Sequence, residues 1–187
     1  MNVEYLPITD APGYGLQRIR TAEDVLEIAE IYVTAFPEEE RRPLRAQARA
    51  ARREEALFYR IVREGQTVGM FTAWELPRVV YGEHFAVGPR VRAKGLGTKV
   101  LRTIMQATGK PLFGEVEPPV DELTTRRLNF YLREGFHVLD REYYQPPYTP
   151  ELPPVRLLLL STDPDLRGER LEQTIADLFA TVFVKHI

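Results

Sequence analysis

No cysteine occurs in the 187 residues, and histidine appears only three times, as His84, His137 and His186. Without cysteine there is no disulfide framework, no thiolate metal site and no cysteine nucleophile. A multi-histidine metal centre would need almost every histidine in the chain, so no metal is expected. Charge of one sign is missing too: 25 Lys and Arg stand against 27 Asp and Glu, a net of -2. That balance removes the broad attraction to a polyanion, and nucleic acid is not an expected partner. No apolar run approaches the roughly 18 residues of a membrane span, so no membrane partner is expected. The densest run, Leu157 to Leu160, is strand-sized and lies between Arg156 and Ser161. The N-terminal stretch has no basic segment followed by an apolar one, so no secretory signal and a cytoplasmic location are expected. What remains is chemistry built from carboxylates, tyrosine, arginine and backbone.

With 44% hydrophobic and 28% charged residues, the chain has an ordinary globular composition. Residues 16–20 alternate and read as a short strand. Thr21 suits a helix N-cap, with Asp24 three positions on. Val25, Ile28, Ala29 and Tyr32 follow at helical spacing until Pro37. A second helix is expected over about 40–56. Strands are expected at 57–62, 68–74 and 80–87, the first two joined by a hairpin turn at Arg63-Glu64-Gly65-Gln66. The period then changes. A helix opens at Gly95-Leu96-Gly97 and stops at Gly109, two residues before Pro111. A strand at 112–116 precedes a helix over 121–134, with Leu123, Leu128, Tyr131 and Leu132 assigned to its inward side. A strand over 136–144 and another over 155–160 follow. Five prolines within 146–154 mark a stiff, extended loop between them. A terminal helix over about 164–184 carries Leu171, Ile175, Leu178 and Val182 on one face.

Hairpins first and helical crossovers later argue an α/β (α+β) fold, with a mixed sheet of about seven strands and helices on both faces. One domain over 1–187 is expected, with 163–187 as a C-terminal helical extension. Its apolar face packs on its own sheet or on a second subunit, so monomer and homodimer both stay open.

The segment from Tyr81 to Thr98 carries the most chemistry. A strand runs through Gly88-Pro89 into Arg92-Ala93-Lys94-Gly95-Leu96-Gly97-Thr98 and a helix N-terminus. Unpaired N–H groups and the positive end of the helix dipole make such a junction an anion site. Gly95 and Gly97 let backbone approach a phosphate, and Arg92 and Lys94 add charge. A plain turn with a cap explains the same glycines. The spacing is not the Walker pattern, and Val100 stands where a dinucleotide fingerprint needs its third glycine.

Arg92-x-x-Gly95-x-Gly97, together with Phe130-Tyr131 and Gly135-Phe136 at the next helix–strand junction, resembles the GNAT superfamily of N-acetyltransferases. The order of elements resembles that family from about residue 16 to 161. A bacterial subgroup is more similar still, through Phe36-Pro37-Glu38-Glu39-Glu40-Arg41, Glu115-Val116-Glu117-Pro118 and Tyr143-Tyr144-Gln145-Pro146-Pro147-Tyr148.

The resemblance implies a sheet splayed between its fourth and fifth strands, with acetyl-CoA lying in the V as co-substrate. Its pyrophosphate would sit on the turn from Lys94 to Thr98, and its pantetheine would pair with the fourth strand at Phe85 to Val87. The expected activity is direct transfer of an acetyl group from the thioester to a primary amine. A small molecule is the first choice of acceptor, and a peptide or protein amine is the alternative. A non-catalytic acyl-CoA sensor would show the same glycine turn.

Tyr131 holds the family's general-acid position, and a core aromatic is the plainer reading of it. The base is expected among carboxylates: Glu115 first, aligned with a family carboxylate on the fifth strand, then Glu83 on the fourth. Solvated carboxylates remain the alternative. Strand parity groups Glu83 with Tyr81, Phe85 and Val87 and sends His84 to the opposite face. The family's cofactor-contacting asparagine corresponds to Thr124. Arg41, Arg45, Arg49 and Arg52 form a stripe on the second helix, read as a solvated face paired with nearby glutamates. Acceptor-site walls are expected from the loop at 36–42 and the proline-rich loop at 146–154. Glu115 and Tyr131 are expected to face one cleft beside the glycine turn; on opposite faces they could not work as a pair within a single cleft.

Overall fold

The computed structural model describes residues 4–91, 95–139 and 141–183. Two short strands, β1 (Tyr5–Pro7) and β2 (Tyr14–Arg18), open the chain. Three short helices follow: α1 (Ala22–Leu26), α2 (Ala29–Ala35) and α3 (Leu44–Ala50). Then come β3 (Ala56–Arg63), β4 (Gln66–Glu75), β5 (Val80–Val87), α4 (Leu96–Thr108), β6 (Leu112–Val116) and α5 (Glu122–Arg133). The last described elements are β7 (His137–Val138), β8 (Tyr143–Gln145), β9 (Val155–Ser161) and α6 (Glu169–Leu178), which runs into a π-helical turn at Phe179–Phe183.

Local signals decide most of these boundaries. Thr21 and Asp24 form the reciprocal capping box of α1, with Asp24 N–H donating to Thr21 Oγ1 at 3.1 Å. The first helix nevertheless breaks in two around Ile28. The second is shorter than the 40–56 expected, because Pro43 sits at its N-cap and a 3₁₀ turn at Glu38–Glu40 precedes it. Gly109 caps α4 in the left-handed conformation, its N–H donating to Met105 O. The strand expected over 136–144 splits into β7 and β8, and together with β1 this brings the sheet to nine strands. Leu123 and Leu132, assigned to the inward side of α5, are 63% and 42% exposed.

The sheet order is β1-β2-β3-β4-β5-β6-β9-β7, with β8 on β9. The β5–β6 contact is parallel and every other pairing is antiparallel. Alternation along the strands sorts the core into two layers. Phe58, Trp74, Tyr81 and Phe113 lie in the layer covered by α1, α2, α3 and α6. Leu57, Phe71, Val80 and Leu112 lie in the layer covered by α4 and α5. Leu171, Ile175, Leu178 and Val182 of the C-terminal segment join the first layer of the same chain.

Candidate active site

Two features of β5 build the site. Its parallel pairing with β6 covers only Val80↔Leu112, Tyr81↔Phe113 and Gly82↔Gly114. Beyond Gly82 and Gly114 the two strands continue without each other, while β6 stays paired with β9 on its other edge from Phe113 to Val116. The sheet is splayed there, and the β6-facing edge of β5 from Glu83 to Ala86 has no partner strand among the described residues. The second feature is a bulge: Thr72 pairs with His84 but Ala73 pairs with Gly82, leaving Glu83 as the extra residue. A bulge turns two successive side chains to one face. Glu83 and His84 therefore share the α1–α3 side, with His84 Nδ1 3.5 Å from Glu83 Oε2. The expectation that His84 opposes Glu83 fails for this reason, and Phe85 falls in the other layer, edge-on to Phe71 at 5.6 Å.

On the α4–α5 side, the helix N-terminus lies beside the splay. Gly95, the N-cap of α4, has φ +64°, a conformation that L side chains rarely adopt, and no side chain caps the turn. The first bond into the helix turn is Lys99 N–H to Gly95 O, so the N–H groups of Leu96, Gly97 and Thr98 precede the helical ladder. Gly97 packs closely: a Cβ there would stand 3.1 Å from Phe130 Cζ and 3.6 Å from Phe85 Cζ. Leu96 is buried in the core. Thr98 Oγ1 donates to Glu134 Oε1 at 2.5 Å, tying α4 to the end of α5. These backbone donors fit an anionic pyrophosphate in shape and polarity. Arg92 and Lys94, expected to add charge, lie outside the described residues. Thr124 is engaged elsewhere: its hydroxyl accepts from Val120 N–H and Asp121 N–H, both at 3.0 Å, in the capping box of α5. Gly97→Val should crowd Phe130 and cost about 1–3 kcal/mol of stability, measured by urea unfolding.

Tyr131 packs in the same layer, between Phe130 at 5.2 Å and Phe136 at 5.3 Å. Burial pushes its hydroxyl up to about 12, with Arg127 pulling down and Glu117 pushing up. It therefore keeps its proton at any working pH.

Across the sheet, in the other layer, stand the two carboxylates that follow the last β5–β6 pair. Glu83 is locked. Its side chain is 1% exposed, Arg42 Nη1 lies 2.5 Å from its Oε1, and Tyr148 donates to the same oxygen at 2.9 Å. Burial alone would raise its carboxyl, but the Arg42 guanidinium outweighs that and holds it well below the usual carboxylate range. Glu115 is the opposite case. Burial pushes it up to about 8, the Tyr143 and Tyr81 hydroxyls pull it back, and the charges of Glu83 and Glu40 push it further. No hydrogen bond of ordinary geometry reaches its Oε1 or the Tyr143 hydroxyl, although the tyrosine is near enough to favour the carboxylate.

Glu115 and Tyr131 thus do not share one cleft. They belong to opposite layers and flank the splay from its two sides. Glu117, past the end of β6, pairs with Arg127 of α5. Burial and the Glu117 charge bring Glu40 up to about 7.

Sequence reasoning missed Arg42 and Tyr148, and it set His84 aside. His84 Nε2 donates to Glu40 O at 2.8 Å, because a carbonyl only accepts. Its Nδ1 lies 3.0 Å from Thr72 Oγ1. Among the described residues no cluster of three or more His, Asp or Glu has a metal-binding arrangement, and no helix is long and apolar enough to cross a membrane.

Comparison with known proteins agrees with this geometry. A search of curated proteins finds no significant match. A GNAT-family acetyltransferase described from Bacteroides thetaiotaomicron is 32% identical, covering 89% of this chain and 96% of its own, with a TM-score of 0.77. Arabidopsis thaliana Naa50, solved with the bisubstrate analogue CoA-Ac-MVNAL, is 17% identical over 80% of this chain and 97% of its own, with a TM-score of 0.59. The PaiA N-acetyltransferase of Thermoplasma acidophilum, solved with coenzyme A, is 15% identical over 79% of this chain and 97% of its own, with a TM-score of 0.57. The profile of the Acetyltransferase (GNAT) family matches residues 25–136, so this chain belongs to the GNAT acetyltransferases.

Proposed function

We propose that the protein is an acetyl-CoA-dependent N-acetyltransferase that passes the acetyl group directly to a small primary amine. The observation that carries this reading is the splay past Gly82 and Gly114, with uncapped helix N–H groups on one side and buried carboxylates on the other. The pyrophosphate rests on the N–H groups of Leu96, Gly97 and Thr98. Arg92 and Lys94 add their charge. The open edge of β5, from Phe85 toward Val87, pairs with the pantetheine, and a backbone N–H there polarises the thioester carbonyl.

Glu115 is the general base. A group near 8 takes a proton from an ammonium at mildly alkaline pH, directly or through one water. Glu83 is withdrawn from that role, because its proton affinity is held low by Arg42. Tyr131 returns a proton to the departing thiolate. Acid and base sit on opposite sides of the splay, so the proton taken from the amine and the proton given to sulfur need not cross paths. The amine attacks the thioester carbonyl carbon, the C–S bond breaks, and the amide and free thiol leave.

A small amine is favoured over a peptide because the two loops expected to wall the acceptor side are joined here. Tyr148 from the proline-rich loop stacks on Arg42, 4.3 Å from ring centroid to guanidinium carbon. The relatives solved with CoA ligands support acetyl-CoA as the donor.

The deciding assay is release of free CoA from acetyl-CoA across a panel of amines and short peptides. Transfer to a small amine is the expected result. Binding of acetyl-CoA with no transfer to any of them would make the chain a sensor. Tyr131→Phe should slow transfer roughly 10-fold or more while leaving acetyl-CoA affinity unchanged, read by steady-state rates and calorimetry. An unchanged rate would remove Tyr131 from the acid role.

A further inference from the structure

Arg42 stands out among the buried polar groups, because one side chain touches several segments that are far apart in sequence. It lies in the loop between α2 and α3, and its side chain is 2% exposed. Its Nη1 holds Glu83 of β5 at 2.5 Å. Its Nη2 donates to Val182 O at 3.4 Å, in the π-helical turn that ends the C-terminal segment. Its guanidinium lies over the Tyr148 ring of the proline-rich loop at 4.3 Å and over Trp74 of β4 at 5.4 Å. Its backbone N–H donates to the Tyr32 hydroxyl at 2.9 Å.

The C-terminal turn makes further contacts of its own with the proline-rich loop, β8 and the stretch after α3. Phe183 packs on Tyr148 at 5.4 Å between ring centroids, and Phe179 packs on Tyr143 at 6.4 Å. Arg53 Nη1 donates to Thr181 O at 2.5 Å, holding the same turn from the stretch between α3 and β3. The cluster belongs to the same layer as Tyr143, whose hydroxyl, like Glu115 Oε1, is buried without a hydrogen-bond partner.

We propose that Arg42 is a positioning and specificity residue: it locks the 36–42 loop, the proline-rich loop and the C-terminal turn into one closed wall over Glu115, which limits the acceptor to small amines. This rests on the acetyl-transfer reading of the same site. The physical basis is that removing a partner from a buried ion pair is costly, and this pair has none to spare: Arg42 Nε and Glu83 Oε2 are already buried without a hydrogen-bond partner. An extended peptide laid between the two loops would have to separate Tyr148 from Arg42 and Glu83, leaving a desolvated ion pair short of partners. A small amine needs no such separation. The C-terminal segment supplies a main-chain acceptor and two aromatic rings to this wall.

Two measurements on the full chain test the proposal. The first is amide hydrogen exchange in wild type, Arg42→Lys and Tyr148→Ala. The lock predicts that 36–43, 146–154 and 179–183 exchange faster together in both variants, about 10-fold or more, while the α4 turn does not change. Acceleration confined to the segment carrying the substitution overturns the lock. The second is steady-state transfer with a small amine, a bulky amine and a short peptide. Tyr148→Ala should raise KM for the small amine about 10-fold and improve transfer to the bulky one, with KM for acetyl-CoA within about twofold of wild type. Tyr148→Phe keeps the ring over Arg42 and should restore most of the size selectivity. Wild-type transfer to the peptide as efficient as to the small amine overturns the size limit. Absence of transfer to any amine overturns the catalytic reading, and the size limit with it, while the exchange data still decide whether the lock exists.

Discussion

Replacing Glu115 with glutamine is expected to lower kcat for acetyl transfer by roughly 100-fold or more, the low end of the range for a positioned general base. The substitution keeps shape and removes the only property the base role needs. In wild type, kcat should rise with pH through about 8, because burial keeps Glu115 protonated until then. The acceptor's own ammonium also titrates in the alkaline range, so the two limbs must be separated. A limb owned by the amine moves when the amine is changed; a limb owned by Glu115 stays near 8 across the panel. Glu115→Gln should lose the fixed limb and keep the movable one. Acetyl-CoA affinity should be unaltered, since the backbone donors at Leu96–Thr98 lie in the opposite layer. A variant with wild-type kcat and an intact fixed limb would mean that some other group, or bulk water, takes the proton.

The elements that place this site were largely legible in the residues. Strand-length apolar runs and a hairpin turn marked β3, β4 and β5, helical spacing marked α4, and the glycine turn at Gly95-x-Gly97 fell where the helix starts. The carboxylates Glu83 and Glu115 were visible as acidic residues in apolar strands. Their roles were not, because a one-residue bulge changes parity along β5 without leaving a mark in composition. Strand alternation beyond Gly82 therefore pointed His84 away from Glu83 and joined Phe85 to the wrong face. Arg42 was hidden among similar neighbours. Arg41, Arg45, Arg49 and Arg52 read equally well as a solvated stripe, and only tertiary packing singles out Arg42 beside them as buried. Tyr148 was hidden differently: the prolines around it announced a stiff loop but not its direction. The inward face assigned to α5 was partly wrong: Thr124, Leu128 and Tyr131 turn inward, while their neighbours Leu123 and Leu132 fall off that stripe and are exposed.

The contrast between the two glutamates gives the sharpest test of the electrostatic account. Glu83→Gln should destabilise the protein by about 3–5 kcal/mol, the usual consequence of leaving a buried partner charge uncompensated. For a chain of this size that corresponds to a drop in Tm of roughly 6–20 °C. Glu115→Gln should do the reverse at alkaline pH. The unfolded chain releases the Glu115 proton near the ordinary 4.5, while the folded chain holds it to about 8. The native state therefore binds more protons across that window, and wild-type stability falls as pH climbs from about 4.5 to 8 before levelling. Glutamine removes that loss, so Glu115→Gln should melt higher than wild type at pH 8 and show no advantage below about 4.5. For Glu83 the sign is opposite. Its depressed value contributes stability above 4.5 that is lost as pH falls below it, so the damage from Glu83→Gln should be largest near neutrality and shrink in acid. Thermal melts of the three proteins at a series of pH values would read both slopes in one data set. If Glu115→Gln melted lower than wild type at pH 8, the carboxyl would be ionised and well solvated in the fold. The base assignment would then lose the raised proton affinity on which it depends.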